Sequence, residues 1–473
     1  MTTVPERLRP LLAAGSPLQD LAGRFRAAGR SLYLVGGSVR DALLGRVRTD
    51  KDDLDLTTDA RPDEIEALVG GWADHVWLQG KAFGTVGCSR GDLNLEITTF
   101  RAEVYRPESR KPNVVFADHL DTDLSRRDFT VNAMALALGD DDPTLVDPFA
   151  GLEDLVVHRR LRTPLDPETS FLDDPLRMLR AARFIAAHGL EPDPALTAAV
   201  HELKGRLEIV SAERIADELS KLLVVPDPSP GLWFLVETGL AGEFLPELPA
   251  LALEQDPVHR HKDVLAHTIA VVAKTRPELE VRLAALLHDV GKPKTRSFGS
   301  DGVSFHLHDV VGARMAAERL RALRFPNHVV DAVTELVALL LRFHTYKMGL
   351  TDRAVRRYVR DAGPYLTQLN ELVRCDCTTR NQAKAKALSK RMDDLERRIT
   401  ELRAQEELDS IRPALDGNQV MAILGLPPGR VVGEALAMLL EARLDEGPMS
   451  EEDATARLRA WAGNRPDIGN LPQ

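Results

Sequence analysis

Cysteine is nearly missing from this chain. Cys88, Cys375 and Cys377 are the three thiols in 473 residues, too few for a disulfide framework and without the spacing of a metal knot. Long apolar runs are missing too: stretches such as Leu336 to Leu341 are far too short to cross a bilayer. The N-terminus has no basic-then-apolar leader, so a cytoplasmic protein is expected. Basic charge is not in excess, with 61 Lys and Arg against 72 Asp and Glu and a net charge of −11. That balance weighs against broad, nonspecific nucleic-acid affinity. It leaves room for local basic surfaces, for which Arg101 to Lys111, His158 to Arg162 and Lys384 to Arg391 are the candidates. There is no internal repeat and no low-complexity block. What remains is 44% hydrophobic and 28% charged, an ordinary globular composition too long for one core and suited to about three domains.

The stretch from Ser31 to Thr58 carries the clearest chemistry. Ser31 to Val35 alternates as a strand and runs into Gly36-Gly37. Ser38 stands where a helix N-cap belongs, Val39, Leu43 and Leu44 give the helix an apolar face, and Gly45 stops it. A glycine pair between a strand and a helix start lets backbone amides approach a phosphate. Asp53 and Asp55 follow on a second strand, where residues two apart share a face. Two parallel carboxylates repel unless a cation sits between them, and an oxygen pair suits Mg²⁺ holding a triphosphate. A solvated acidic turn would also explain the pair, but the upstream glycines favour the metal and phosphate site.

Farther on, Ala60 to Trp72 reads as a helix with Pro62 in its first turn. Phe83 to Arg90 and Leu93 to Phe100 read as two strands joined across Gly91-Asp92. Glu96 lies in the second and would give the metal site a third carboxylate if that strand neighbours Asp55; an exposed strand glutamate is the alternative. Arg126 to Ala135 reads as a helix with a charged mouth and a buried body. Its arginine forks suit triphosphate oxygens and its Asp or Asn suits ribose hydroxyls, although a capped core helix would look the same. Asp147 to Gly151 is a turn cluster and candidate hinge.

Past this point the pattern is helical. Asp174, Arg177 and Arg180 recur every three residues on one face, where an acceptor and a donor fork one turn apart could read a base edge; a surface salt bridge is the alternative. Glu213-Arg214 opens another helix, capped by Ser211 and held by an ion pair. Downstream, His267, His288-Asp289, His308, His344 and Asp376 form an N/O set of the kind a catalytic metal uses, with His259 and His261 nearby. Lys384 to Leu408 reads as a long exposed helix, followed by segments Asn418 to Leu424 and Val431 to Arg443.

In order, GGSVRD with DDLDLTT, RRDFTVNAMA, DPFAGLEDL, DDPLRMLRAARF and SAERIADEL resemble the motifs of class II tRNA nucleotidyltransferases, the bacterial CCA-adding enzymes and their poly(A) polymerase relatives. The resemblance runs from about Leu32 to Leu223. His267 to Asp376 resembles an HD-type phosphohydrolase domain, which some long bacterial members carry. The implied fold is α+β: a small mixed-sheet nucleotidyltransferase head (1–150), a helical neck (151–250), an HD-type domain (251–380) and a helical tail (381–473).

The roles it implies follow by position. Asp53 and Asp55, with Glu96 as a weaker third ligand, would hold two Mg²⁺ ions that activate the RNA 3′-hydroxyl and neutralise the triphosphate. Gly37, Arg40 and Arg127 would contact the nucleotide, and Asp128 the ribose. Asp174 and Arg177 would select CTP and then ATP, with Arg180 and Arg183 completing the site. The family's reading motif often opens with Glu-Asp, whereas this one opens with Asp173-Asp174. His267, His288, Asp289 and Asp376 would hold a second divalent metal. The implied partners are the tRNA acceptor end, CTP and ATP, with no membrane. A poly(A) polymerase using ATP alone, and an HD-domain phosphohydrolase with an RNA-binding head, are the competing readings. The intact carboxylate pair and the acidic charge weigh against a non-catalytic RNA scaffold.

Overall fold

The computed structural model describes residues 16–46, 54–104, 113–139, 144–253, 263–299, 302–341, 343, 351–377, 382–408 and 411–465. The chain divides into two compact units, Met1–Pro249 and Ala250–Gln473. Among the described residues no helix is long and apolar enough to cross a membrane.

Among the described residues, the first unit opens with nine strands: β1 (Leu32–Val35), β2 (Leu54–Thr58), β3 (His75–Trp77), β4 (Thr85–Arg90), β5 (Leu93–Thr99), β6 (Arg101–Val104), β7 (Asn113–Phe116), β8 (Ala135–Ala137) and β9 (Leu145–Val146); two short strands, Arg160–Leu161 and Glu191–Pro192, pair in parallel farther along the chain. Seven of them form one sheet in the order β3-β4-β5-β2-β1-β8-β9, and β6 and β7 pair separately. The sheet is mixed: β2 and β5 run parallel while their outer neighbours are antiparallel. Alternation sets the faces. Leu95 and Ile97 are buried while Asn94 and Glu96 between and beside them are exposed. The β4–β5 hairpin turns at Gly91, whose φ of 57° is the left-handed conformation expected for that glycine. The helix Pro17–Ala27, capped by the Ser16 hydroxyl accepting the Gln19 N–H at 3.3 Å, buries Leu18, Leu21 and Phe25. Each such side chain contributes about 2 kcal/mol.

Helices follow at Pro167–Asp173, Leu176–His188, Pro194–Leu203, Ala212–Leu223 and Ser229–Glu237. The turn cluster ahead of them is tied down, since Asp147 accepts the backbone N–H of Gly151 at 2.7 Å and of Leu152 at 2.9 Å. Buried Asp154 accepts from Thr130, Arg160 and Arg162. Arg159 donates to the His188 carbonyl. The arginines of His158 to Arg162 therefore act as structural ties.

Among the described residues the second unit is helical apart from the hairpin Arg296–Gly299 and Gly302–Phe305. The helix Gln382–Gln405 is not exposed all round: Met392, Leu395, Ile399 and Leu402 recur at helical spacing and are buried. Charged residues dominate its sequence, which hides this narrow apolar stripe. The last helices, Gly417–Leu424, Arg430–Glu446 and Glu451–Gly463, share a core of Leu424, Leu439 and Leu458.

Candidate active site and a second candidate metal centre

In the first unit, β1 delivers the chain to Gly36, which bends at φ 72° and serves as N-cap of the helix Gly37–Leu43. Ser38 is inside that helix and is not its cap. The left-handed bend does the capping geometry's work without a hydroxyl, which only glycine allows cheaply. A Cβ on Gly36 would lie 3.2 Å from Arg127 Nη1 and 3.6 Å from Asp55 Oδ2. Bare backbone is thus held against one cation and one carboxylate. Asp55 stands opposite Glu96 across the parallel β2–β5 pair, so both exposed carboxylates rise from one face of the sheet. Asp53 lies outside the described residues, as do His259, His261 and His344.

Arg126 to Ala135 is not a helix. Thr130–Asn132 makes one 3-10 turn and the chain passes directly into β8. The small and apolar residues there fit a buried strand as well as a buried helix, so their period could not decide. Arg127 pairs with buried Asp123 at 3.3 Å. Asp128 is itself buried and accepts from the Phe129 N–H at 2.9 Å, the Asn132 amide at 3.0 Å and the Arg180 guanidinium. Burial works against its ionisation, but Arg180, Asn132 and Arg177 outweigh that and hold its pKa down at about 2. Arg40 donates to the Asn132 side-chain oxygen at 2.7 Å.

The neck supplies the opposite wall. Asp174 precedes the helix rather than sitting on it: its backbone is extended, and Oδ1 accepts the Leu176 N–H at 3.2 Å. Pro175 forces this, because the residue before a proline avoids helical backbone. Asp174 Oδ2 pairs at 3.0 Å with Arg214, so the stiffening ion pair expected of the Glu213-Arg214 helix start is made by Arg214 to a residue outside its own helix. Ser211 is the N-cap residue of that helix, but its hydroxyl makes no capping bond. Buried Arg177 donates to the Ser170 hydroxyl at 2.8 Å and to the Arg126 carbonyl. Arg183 is gripped by buried Glu218 at 2.7 Å. The guanidinium carbons of Arg40 and Arg183 lie 5.2 and 4.9 Å from the ring centre of Phe184.

These walls enclose a cavity of about 540 Å³ lined by Gly37, Arg40, Asp55, Glu96, Arg127, Asp128, Asp174, Arg177, Arg180 and Arg183. The same cavity is lined by Asn132, the alternative ribose partner of its segment, and by Asp123 and Phe184, which the sequence did not point to. Asn132 had a signal, being four residues after Asp128. Asp123 and Glu218 had none, since each acts through a partner distant in sequence.

Beneath the cavity lies His188, whose pKa is pushed down to about 3 by burial and then by Arg40, Arg46, Arg183 and Arg159. Unfolded, this histidine titrates near its ordinary value. Stability is therefore full above pH 6.5 and declines as pH falls from there toward 3, by an amount on the order of 4 kcal/mol. His188→Gln is expected to flatten that limb of the stability curve, measured by urea unfolding at pH 7 and pH 4.5. An unchanged slope would show that His188 is not buried neutral.

In the second unit, His267 comes from the helix Val264–Lys274, His288 caps Leu279–Leu287, and Asp376 ends Leu366–Asp376. One ligand atom from each of these three lies within 4.8 Å of the others. His267 Nε2 is 2.9 Å from Asp376 and 3.7 Å from Asp289. His288 Nδ1 donates to the Ala285 carbonyl at 2.7 Å, which leaves Nε2 facing the carboxylates. Asp289 lies 3.2 Å from that nitrogen, yet among the described residues no group makes a well-directed hydrogen bond to it. His308, placed by Leu307 at φ 60°, bonds the Phe305 carbonyl through Nδ1 and turns Nε2 to within 3.9 Å of Asp289. An orphaned, buried imidazole nitrogen aimed at two carboxylates fits a divalent cation. Burial opposes charge on His288, but Asp289 and Asp376 outweigh it and raise its pKa to about 10.

The family model for the poly(A) polymerase head domain matches residues 32–162. Those for a probable RNA- and SrmB-binding site of polymerase A and for the HD domain match 189–251 and 264–400. An A-adding tRNA nucleotidyltransferase of Deinococcus radiodurans is 34% identical over 92% of this chain and 96% of its own. A CC-adding tRNA nucleotidyltransferase of Thermus thermophilus is also 34% identical, over 92% and 95%. A CCA-adding enzyme of Geobacillus thermodenitrificans is 30% identical over 95% and 97%. Among solved structures, the Bacillus stearothermophilus CCA-adding enzyme in complex with CTP shares the fold with a TM-score of 0.66, at 24% identity over 98% of this chain and 100% of that one.

Proposed function

Because this chain belongs to the tRNA nucleotidyltransferase family, we propose that it adds C, C and A to the 3′ end of tRNA from CTP and ATP. The observation that carries this reading is the single cavity in which strand carboxylates, arginine forks and the Asp174–Arg177 edge face one another. Asp55 and Glu96 face one another across the β2–β5 pair, and with Asp53, two residues before Asp55 in the sequence, they would supply the oxygen-only donors that suit Mg²⁺. Bound there, the metal supplies Lewis acidity to the 3′-hydroxyl and counter-charge to the triphosphate. Gly36 and Gly37 let the triphosphate approach backbone amides, and Arg127 and Arg40 orient its oxygens. Asp128 takes a ribose hydroxyl. Arg177 donates to the base edge and Asp174 accepts from it, exchanging Arg214 for a base amino group. That exchange costs little, because the Arg214 side chain is 54% exposed. Phe184, flanked by two guanidiniums, forms the floor under the base.

In the second unit His267, His288, Asp289 and Asp376, with His308 beside them, hold a divalent metal for phosphoester hydrolysis. The chain is then divided functionally into head (1–150), neck (151–250), HD-type domain (251–380) and tail (381–473).

Relatives at equal identity are named for A addition and for CC addition, so a partial reaction is the competing reading. Purified protein incubated with CTP, ATP or both, on tRNA lacking CCA and on tRNA ending in CC, separates the two. Full CCA on the first substrate is the expected product. Arrest at CC, addition of A to the second substrate alone, or long A tails without use of CTP would each replace the proposal.

A further inference from the structure

The hairpin Arg296–Gly299 and Gly302–Phe305 stands next to the His/Asp cluster and has an unusual surface. Phe298 is 71% exposed, and the Arg296 guanidinium carbon sits 4.6 Å from its ring centre. Arg296 is opposite Phe305, and Phe298 is opposite Val303. Directly opposed residues of an antiparallel pair share a face, so Arg296, Phe298 and Phe305 project on one side. Ser297 and Ser304, joined by a 2.8 Å hydrogen bond, mark the other.

The aromatic face is the one tied to the cluster. The Phe305 ring has Lys292 Nζ at 5.7 Å and the His308 ring at 6.5 Å. Lys292 in turn donates to Asp289 at 2.6 Å, and the Phe305 carbonyl accepts from His308. Phe298 lies two residues along the strand, about 7 Å farther out, a span comparable to that between a nucleotide's base and its phosphate. Exposed Lys294 adds positive charge to the short helix Lys292–Thr295 that leads into the hairpin. An accessible aromatic ring stacked with an arginine, beside lysines, is what an unpaired base and its phosphate require. A hairpin that only supported His308 would have no use for an exposed Phe298.

The geometry points to the hairpin face formed by Arg296 and Phe298 as a base-stacking subsite, which presents nucleoside phosphate esters to the His/Asp cluster. This deepens, and rests on, the reading of that cluster as a phosphoesterase. In the reaction a water oxygen bonds to phosphorus, the ester P–O bond breaks, and the nucleoside hydroxyl leaves with a proton; no redox partner is needed.

The test compares the full chain with Phe298→Ala and Phe298→Tyr. Phosphate release is followed from adenosine 2′- and 3′-monophosphates and from glycerol 2-phosphate, which has no base, with Mg²⁺, Mn²⁺, Co²⁺ or Ni²⁺. Phe298→Ala is expected to raise KM for the adenosine esters about tenfold, to leave glycerol 2-phosphate unchanged, and to be rescued by Phe298→Tyr. The dissociation constant of adenosine 3′-monophosphate for metal-free protein, by titration calorimetry, is expected to rise by a similar factor. Equal losses on both ester types would reduce the hairpin to a support for His308 and overturn the subsite, as would no change on either. Turnover absent from the wild type with every metal would remove the phosphoesterase reading itself, and the subsite with it.

Discussion

Asp55→Ala is expected to lower nucleotide incorporation into CCA-less tRNA by roughly a thousandfold or more, with phosphate release by the His/Asp cluster unchanged. Asp55 is exposed at the mouth of the sheet, so its removal leaves no hole in the core. Its register with Glu96 puts two acidic oxygen donors on one face, beside the bare backbone of Gly36. Without Asp55 the remaining charge on that face is opposed by Arg127 and Arg101 lining the same cavity, and a divalent ion has little reason to stay. Glu96→Gln keeps the shape and removes one charge; its loss should be smaller than that of Asp55→Ala. Single-turnover incorporation of labelled CTP, with circular dichroism as a fold control, measures both. Retention of more than a tenth of the wild-type rate by a folded Asp55→Ala variant would mean that the reaction centre lies elsewhere.

Asp128→Ala should be damaging in two separable ways. The carboxylate joins the Asn132 amide, the Phe129 N–H and Arg180, and so fastens the 3-10 turn to the helix Leu176–His188. Truncation leaves Arg180 and the Asn132 amide without their acceptor, a loss of about 3 kcal/mol, readable by urea unfolding. The pH dependence has a definite sign. With its folded pKa held at about 2 against an ordinary 3.8, Asp128 contributes stability that is complete above pH 4 and lost as pH falls through 2. Asp128→Asn keeps the volume and removes that acid limb. On nucleotide addition, Asp128→Ala should cost about a hundredfold in kcat/KM at pH 7, because both Arg180 and the ribose contact lose their position. A variant with wild-type kcat/KM and only reduced stability would confine Asp128 to a structural role.

Much of the local architecture is legible in the residues themselves. The alternation of Leu93 to Thr99, the Gly91 turn and the strand before Gly36 each depend on neighbours a few positions away. The same is true of the His288-Asp289 pair at a helix end. Errors arise where short segments carry a period that suits two structures, as in Arg126 to Ala135, or where a proline shifts a boundary, as at Asp174. They also arise where one apolar stripe is diluted by charge, as on Gln382–Gln405.

The sequence by itself determined the residue types of the chemistry and their order: glycine bend, acidic strand, arginine-rich neck, histidine and aspartate on later helices. Local spacing governs such features, because backbone geometry repeats over a few residues. The tertiary structure alone decided which groups meet. Only the sheet order brings Asp55 beside Glu96, and only helix packing brings Arg180 to Asp128 and Glu218 to Arg183. Those pairings join residues 35 to 52 positions apart. They are chosen by burial of the whole core together with the requirement that each buried charge find a partner, and no short window of sequence contains that information.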